Sequence, residues 1–306
     1  MSDKSAGATK GIKIKLDVSD KIIRGVGYTV ASAYALACVI PFLLILGTSF
    51  TSEKVVHARG VTLIPEEFTT YAYELIFQGG TIWGSYVVTI VMTLCGTFLG
   101  LAIIAMTGYA LQRKDFPFRN GISFYIYFTS LFSAGLAPYY LLMTQFYHLK
   151  DSYFAVFLPL LMTPWLIILM KNFVKDIPHE ITESGKIDGA GDMKIFTALI
   201  LPMLKPALAT IGLFVAIGYW NEWYQSSLFL SSRVLYKPLQ YNLYEIVNRA
   251  QAVKNSVAAS KVALSDMPLE TLKMATAIVT TGPIIFLYPF VQKYFIGGIT
   301  VGAVKG

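Results

Sequence analysis

Long apolar runs separated by short polar segments dominate the chain. A bilayer core of about 30 Å is crossed by about 20 helical residues, and runs of that order occur at residues 25–50, 83–111, 121–148, 154–171, 206–230 and 271–295. The runs are continuously apolar and do not alternate over about ten residues, which argues against barrel strands. The pattern predicts an all-α membrane protein with six transmembrane helices.

Composition supports this class and excludes others. The chain is 55% hydrophobic and 14% charged, whereas soluble proteins carry about 25% charged residues. Such a chain has too little charge to cover a soluble globule, and its apolar excess excludes a disordered protein. The two cysteines exclude a disulfide scaffold. Because Cys38 and Cys95 lie inside apolar runs, we expect both to be buried free thiols.

The positive charge flanks the apolar runs. The net charge is +7, which the flanks of membrane spans explain without a nucleic-acid partner. Lys and Arg concentrate in residues 1–24, 112–120 and 171–205, all of which face the cytoplasm if the N-terminus does. We therefore expect a cytoplasmic segment, 1–24, and one transmembrane domain, 25–306, whose first span is an uncleaved anchor and whose termini are both cytoplasmic.

The cytoplasmic loop 171–205 has the signals of a short helix. Pro178 suits the first turn of a helix, and Gly189 suits its left-handed end. We expect an amphipathic helix at about 179–188, followed by a second short helix. On these signals alone, a docking element and an ordinary solvated loop are equally good interpretations.

The spacing within this loop matches a known motif. Glu183, Gly189 six residues later, and then Leu199, Leu201 and Pro202 reproduce the pattern E-A-A-x3-G-x9-I-x-L-P. In this register the chain resembles the permease subunits of binding-protein-dependent ABC importers, in the carbohydrate branch represented by the maltose and alginate importers. The resemblance extends over nearly the whole chain, including segments 108–113, 132–138, 220–223 and 292–306.

One departure from the motif is visible. Ser184 and Gly185 replace the two alanines that follow the glutamate in the family. Glycine inside a helix costs about 1 kcal/mol relative to alanine. The substitution leaves the role of the loop intact, but it puts the rigidity and length of the helix in question.

The resemblance implies that the loop enters a cleft of a cytoplasmic ATPase subunit. The residues assigned to ATPase coupling on this ground are Glu183, Ser184, Gly185, Asp188, Gly189, Ala190, Leu201, Pro202, Lys305 and Gly306. No G-x-x-x-x-G-K-[ST] phosphate loop occurs in the sequence. We therefore expect no cofactor and no enzyme activity in this chain, with ATP and Mg²⁺ bound by the partner.

The resemblance also implies an assembly in the bacterial cell (inner) membrane. It would contain a second homologous permease, two ATPase subunits and an extracytoplasmic sugar-binding protein, surrounded by membrane lipid. The extracytoplasmic loop 231–270 is either a contact for that binding protein or a plain solvated lid.

The fifth run contains a polar and aromatic group at membrane depth. A carboxylate such as Glu222 costs about 2.5 to 3.5 kcal/mol in a transmembrane segment, so it should face a partner or a wet cavity. Trp220 and Tyr224 are four residues apart and are expected to share a helical face. Aromatic faces and hydrogen-bonding groups together suit a sugar, although an interfacial aromatic belt is the alternative. The candidate substrate-pathway residues are Trp220, Asn221, Glu222, Trp223 and Tyr224, with Tyr139 and Tyr140 as weaker candidates.

Three functions compete. The leading one is the transmembrane subunit of an ABC importer for an oligosaccharide, and the alternative is an ion-coupled secondary transporter of a polar solute. The second would require inverted repeats and several ionisable residues at mid-membrane, and no such set is evident. An intramembrane enzyme is disfavoured because G-x-S-x-G and H-E-x-x-H are absent, and the three histidines fall in different loops, which also predicts no metal site.

Overall fold

A computed structural model describes residues 18–78, 80–259 and 268–285, and helices account for most of them. The first half contains α1 (Val18–Ser49), α2 (Glu53–Arg59), α3 (Tyr71–Gln78), α4 (Thr81–Gln112), α5 (Arg119–Leu131), α6 (Leu136–Leu141), a π-helical turn at Leu142–Phe146, α7 (Tyr153–Leu161) and α8 (Pro164–Lys175). The second half contains α9 (His179–Ile187), α10 (Asp192–Lys194), a π-helical turn at Ile195–Ile200, α11 (Leu201–Met203), α12 (Lys205–Trp220), α13 (Tyr224–Phe229) and α14 (Leu239–Ala259). The final described helix, α15, covers residues 269–285.

Three helical stretches are each long and apolar enough to cross a membrane: Lys21–Ser49, Thr81–Gln112 and Tyr153–Lys175. They correspond to the first, second and fourth predicted spans. Two further candidates are bent pairs, so that up to five spans are found by length and composition in the described ranges. The sixth predicted span begins in α15, and its residues 286–295 lie outside the described residues.

The prediction of a continuous third helix was wrong. The third apolar run bends by 113° between α5 and the segment Leu136–Phe146, at a break where Gly135 has a φ of +89°. That left-handed backbone suits glycine and cannot continue a right-handed helix. The fifth predicted span corresponds to the stretch Lys205–Phe229, which has a short break at residues 221–223 and is bent by 84° against the preceding segment Asp192–Met203.

The core is built around α4, which packs against α8 and α12. Small residues on α4 permit the close approach, as is common between membrane helices. A side chain at Gly96 would collide with the ring of Tyr219, and one at Gly108 would collide with Met170. Around these contacts Ile104, Ile167 and Ile211 are fully buried.

The expectation of buried thiols was also wrong. Cys38 and Cys95 are free, as predicted, but both are exposed. They lie on faces of α1 and α4 that the rest of the described chain leaves uncovered, and most of α1 is exposed in the same way. In a membrane-spanning chain such apolar faces are available to lipid or to a neighbouring subunit.

Candidate functional site

The connecting segment (residues 176–204) lies between α8 and α12. Its first helix, α9, covers His179–Ile187, within one residue of the predicted range. The helix ends in a Schellman motif, because the N–H of Ala190 donates to the carbonyl of Gly185 at 2.9 Å and the N–H of Gly189 donates to that of Lys186 at 3.0 Å. Gly189 has a φ of +74° and open space around its Cα. Its glycine is therefore required by the backbone conformation and not by crowding.

Gly185, the departure from the family motif, is placed at a close contact. It is buried, and a Cβ there would lie 3.0 Å from Leu199 Cδ1 and 3.1 Å from Ile195 Cγ1. The absent side chain lets α9 lie directly on the π-helical turn at Ile195–Ile200. The helix keeps its full predicted length despite this glycine.

Charged residues fix the connecting segment to the end of α4. The guanidinium of Arg113, just after α4, bonds Asp115 through Nε at 2.8 Å and Asp192 of α10 through Nη1 at 2.6 Å. Lys186 of α9 reaches the same Asp115 with its Nζ at 2.7 Å. The Arg113 side chain is only 17% exposed, whereas Asp115 and Asp192 are 46% and 62% exposed, so only the guanidinium side of these ion pairs is shielded from water.

The hydrogen bonds between Arg113 and Asp115 shift the pKa of both groups toward the charged form. The hydrogen bonds that Arg113 donates to Asp115 raise the pKa of Arg113 above its ordinary value. In turn, the hydrogen bonds from Arg113 and then Lys186 lower the pKa of Asp115 well below its usual range. The carboxylate therefore stays ionised at neutral pH.

An aromatic contact reinforces the same junction. The rings of Tyr109 on α4 and Phe196 in the π-helical turn have centroids 5.2 Å apart, and the guanidinium of Arg113 lies 5.9 Å from the Tyr109 centroid. Phe196 is buried. The connecting segment is thus attached to the end of α4 by both packing and charge.

The opposite face of α9 is open. Glu183, Ser184, Asp188 and Gly189 are exposed, whereas Gly185 and Ala190 face the protein. Glu183 lies 3.5 Å from His179 Nε2. In α11, Leu201 is half-buried and Pro202 is exposed. Lys305 and Gly306, the remaining predicted coupling residues, lie outside the described residues.

Sequence reasoning missed two apolar residues of this surface. Ile187, at the end of α9, is 85% exposed, and Met193 of α10 is also exposed. Both are large apolar side chains on the otherwise polar outer side of the connecting segment. Both residues could have been recognised from the sequence, because each is a large apolar residue within an otherwise hydrophilic stretch.

At the junction of α12 and α13, Trp220 and Glu222 serve the packing of the chain. Trp220 is 7% exposed, and its indole N–H donates to the carbonyl of Thr280 on α15 at 3.0 Å. Glu222 is 6% exposed and accepts hydrogen bonds from the backbone N–H of Gln225 and from the hydroxyl and N–H of Ser226. Its carboxylate therefore caps the N-terminus of α13, where negative charge is favourable.

This capping overturns the shared-face argument. Because α12 ends at Trp220 and α13 begins at Tyr224, the four-residue spacing between them does not place them on one helical face. Asn221, Trp223 and Tyr224 are nevertheless exposed, and the Trp223 ring lies 5.1 Å from Tyr244 of α14.

Tyr139 and Tyr140 pack against the chain itself. Tyr139 donates its hydroxyl to Gln225 Oε1 at 3.0 Å, and both rings contact Phe229, which is buried. These contacts within the chain account for the positions of both tyrosines.

The comparisons with known proteins agree with this architecture. Residues 100–301 match the family described as the binding-protein-dependent transport system inner membrane component. The chain belongs to this family. It is therefore a membrane-embedded permease component of an ABC importer and not an enzyme, as the sequence motif predicted, and membership implies ATPase and solute-binding partners.

Individual relatives share most of the chain. It is 36% identical, over 89% of its own length and 94% of the relative's, to the polygalacturonan/rhamnogalacturonan transport system permease protein of Bacillus subtilis. It is 26% identical, over 89% and 93%, to the arabinooligosaccharides transport system permease protein of Halalkalibacterium halodurans. The crystal structure of a bacterial ABC transporter involved in the import of the acidic polysaccharide alginate contains a similar chain, with a TM-score of 0.75, 29% identity and coverage of 91% and 98%. The chain thus has the type I ABC permease fold.

Residues able to bind a metal do not cluster in the described parts of the chain. Across residues 18–78, 80–259 and 268–285, no group of three or more His, Cys, Asp or Glu side chains could hold a metal ion.

Proposed function

We propose that this chain forms half of the translocation pathway of an ATP-driven importer for an oligosaccharide. A second homologous permease supplies the other half, two ATPase subunits bind ATP and Mg²⁺, and an extracytoplasmic binding protein delivers the sugar. The observation that carries the proposal is the arrangement of the connecting segment. One side of the segment is exposed and presents both polar and apolar side chains, while its other side is attached to the core helix α4.

The proposed topology has six spans with both termini in the cytoplasm. Residues 1–24 form the cytoplasmic segment, residues 25–306 form the permease domain, and residues 271–295 are the proposed sixth span. The support is the distribution of Lys and Arg, which places residues 112–120 and 171–205 on one side of the membrane. Arg113 and Lys186, from these two loops, do meet at Asp115.

Coupling to the ATPase occurs through the open face of α9. Glu183, Ser184 and Asp188 present polar groups to the ATPase cleft, and Ile187 supplies an apolar contact. Gly185, Gly189 and Ala190 set the shape of the turn, and Leu201 and Pro202 direct the chain into α12. Lys305 and Gly306 form a second contact. Closure of the ATPase dimer moves this unit, and α4 moves with it because the two are attached.

The relatives indicate the class of cargo, because their names refer to polygalacturonan, rhamnogalacturonan, arabinooligosaccharides and alginate. The proposed cargo is an oligosaccharide of one of these kinds. Asn221, Trp223 and Tyr224 are the pathway residues, since they combine an amide with aromatic faces and are exposed. The loop 231–270, which contains α14, contacts the binding protein.

Reconstitution tests the proposal against the alternative of an ion-coupled transporter. The complex is purified from native membranes in mild detergent, its subunits are identified by mass spectrometry, and it is placed in proteoliposomes with ATP inside. We expect uptake of labelled oligogalacturonate that requires both the ATPase and the binding protein and that survives a protonophore. Uptake by this chain alone, driven by an ion gradient without any ATPase, would instead establish the secondary transporter.

A further inference from the structure

A cavity of about 300 Å³ opens between α14, α15 and the α12–α13 junction. This volume is at the lower end of the range of about 300 to 1,000 Å³ that is typical of small-molecule sites, which suits one or two sugar rings. The side chains that carry its chemistry are Trp223, Gln240, Tyr244, Lys273, Thr276 and Thr280.

One wall of the cavity is aromatic. The centroids of Trp223 and Tyr244 are 5.1 Å apart, with their planes inclined by 37°. Both side chains are partly exposed, although they are large and apolar. Such a pair offers flat surfaces on which the C–H faces of a sugar ring can stack, with the ring hydroxyls left at the edges.

The part of the lining that α15 contributes is polar and carries a cation. Lys273, in the first turns of α15, has a side chain that is 40% exposed, and its Nζ lies 3.0 Å from Glu270 Oε1. An exposed i,i+3 pair of this kind is weak, and an ammonium has three N–H donors. The Thr276 hydroxyl donates to the carbonyl of Lys273 at 2.7 Å, which leaves the lone pairs of its oxygen free to accept from a sugar hydroxyl.

We propose that this cavity binds a uronic-acid residue of the imported oligosaccharide, with its ring on Trp223 and Tyr244 and its carboxylate on Lys273. The proposal rests on the proposed function and specifies the substrate class of that site. A neutral sugar would satisfy the aromatic wall and the amide of Gln240 but would leave the Lys273 ammonium with Glu270 as its anionic partner. An ammonium has three N–H donors, so a sugar carboxylate could accept a second charge-assisted bond from Lys273 beside the one to Glu270.

The test separates charge from shape by comparing digalacturonate with its dimethyl ester. The complete complex of permeases and ATPase subunits is placed in phosphatidylcholine nanodiscs without binding protein, and ligand binding is measured by tryptophan fluorescence, both nucleotide-free and vanadate-trapped. We expect Lys273→Gln to weaken binding of the acid about tenfold or more while binding of the ester stays unchanged. Lys273→Arg should retain binding of the acid, and Trp223→Phe should reduce the fluorescence response to both ligands.

Lys254→Gln is the matched control. It also replaces a lysine by glutamine, but Lys254 lies on α14 and does not line the cavity. Equal loss of acid and ester in Lys273→Gln, unchanged acid binding in that variant, or no saturable binding in either nucleotide state would overturn the assignment. Competition by phosphatidylglycerol without any effect of Trp223→Phe would overturn it as well, because the cavity would then hold a lipid headgroup. ATP-driven uptake by the unmodified complex is scored separately, so a failed cavity assignment remains distinct from a failed importer assignment.

Discussion

The carboxylate of Glu53 accepts hydrogen bonds from both the backbone N–H and the hydroxyl of Thr271, a residue 218 positions later in the chain, each at 3.0 Å. Its other oxygen accepts from the N–H of Glu270 at 2.9 Å. Because α15 begins at residue 269, a side chain from α2 supplies the N-terminal cap of a helix at the far end of the sequence. This contact fixes the short helices that follow α1 to the start of α15.

Removal of this cap should lower stability. Glu53 is buried, so Glu53→Ala leaves buried N–H donors without an acceptor, and we expect a loss of about 1 to 3 kcal/mol in the free energy of unfolding. Glu53→Gln keeps one acceptor oxygen and should lose less. Thermal unfolding of the purified complex in nanodiscs measures both. The control is Glu66→Ala, which breaks an exposed pair with Arg59 and should change stability by less than about 1 kcal/mol; a similar loss in both variants would contradict the capping role.

Two neighbouring glycines allow a sharp test of the turn after α9. Gly189 has a φ of +74°, whereas Gly191 has a φ of −68°, and neither would bring a Cβ within 4 Å of another atom. Gly189→Ala forces an alanine into the left-handed region at a cost of about 1 to 3 kcal/mol, while Gly191→Ala carries no such penalty. We expect substrate-stimulated ATP hydrolysis to fall in Gly189→Ala and to persist in Gly191→Ala. Both variants should insert into the membrane normally. Normal stimulation in Gly189→Ala would show that coupling tolerates another turn geometry.

The extent of α9 was predictable because its signals are local. Pro178, the motif glutamate and Gly189 lie within twelve residues of one another, and each acts on the backbone of its own turn. The hydrogen bond from Trp220 to Thr280 joins positions that are 60 residues apart in the chain. A single sequence contains no local pattern that predicts such a long-range pair. The sequence indicated that Glu222 needs polar partners, but it did not identify Gln225 and Ser226. These residues can be capped by Glu222 only because the helix breaks at residues 221–223.

The attachment of the connecting segment to α4 should be energetically coupled to transport. Arg113→Ala removes the bonds to both Asp115 and Asp192, and Asp192→Ala removes one of them. We expect each variant to lower substrate-stimulated ATP hydrolysis while basal hydrolysis remains, and the double variant to lose less than the two single effects combined. Lys194→Ala, on the same short helix as Asp192, is the control. Strictly additive losses would mean that the two side chains act independently.

The contact between α4 and α12 depends on the absence of a side chain at Gly96. A Cβ at this position would lie 2.2 Å from the ring of Tyr219, which is fully buried and donates its hydroxyl to the carbonyl of Phe157 at 2.8 Å. The ring therefore has no free direction in which to move without losing that bond. Overpacking of this kind costs about 1 to 3 kcal/mol, more than the gain of about 1 kcal/mol in helix propensity from glycine to alanine.

Gly96→Ala should therefore lower the thermal midpoint of the complex. Gly212→Ala is the matched change on α12 in the same interface, where the nearest atom, Leu101 Cδ2, would lie 3.4 Å away at ordinary contact distance. That variant keeps the gain in propensity and should be neutral or stabilising. If both substitutions raise the midpoint, the two helices have room to separate, and the interface is looser than the position of Tyr219 implies.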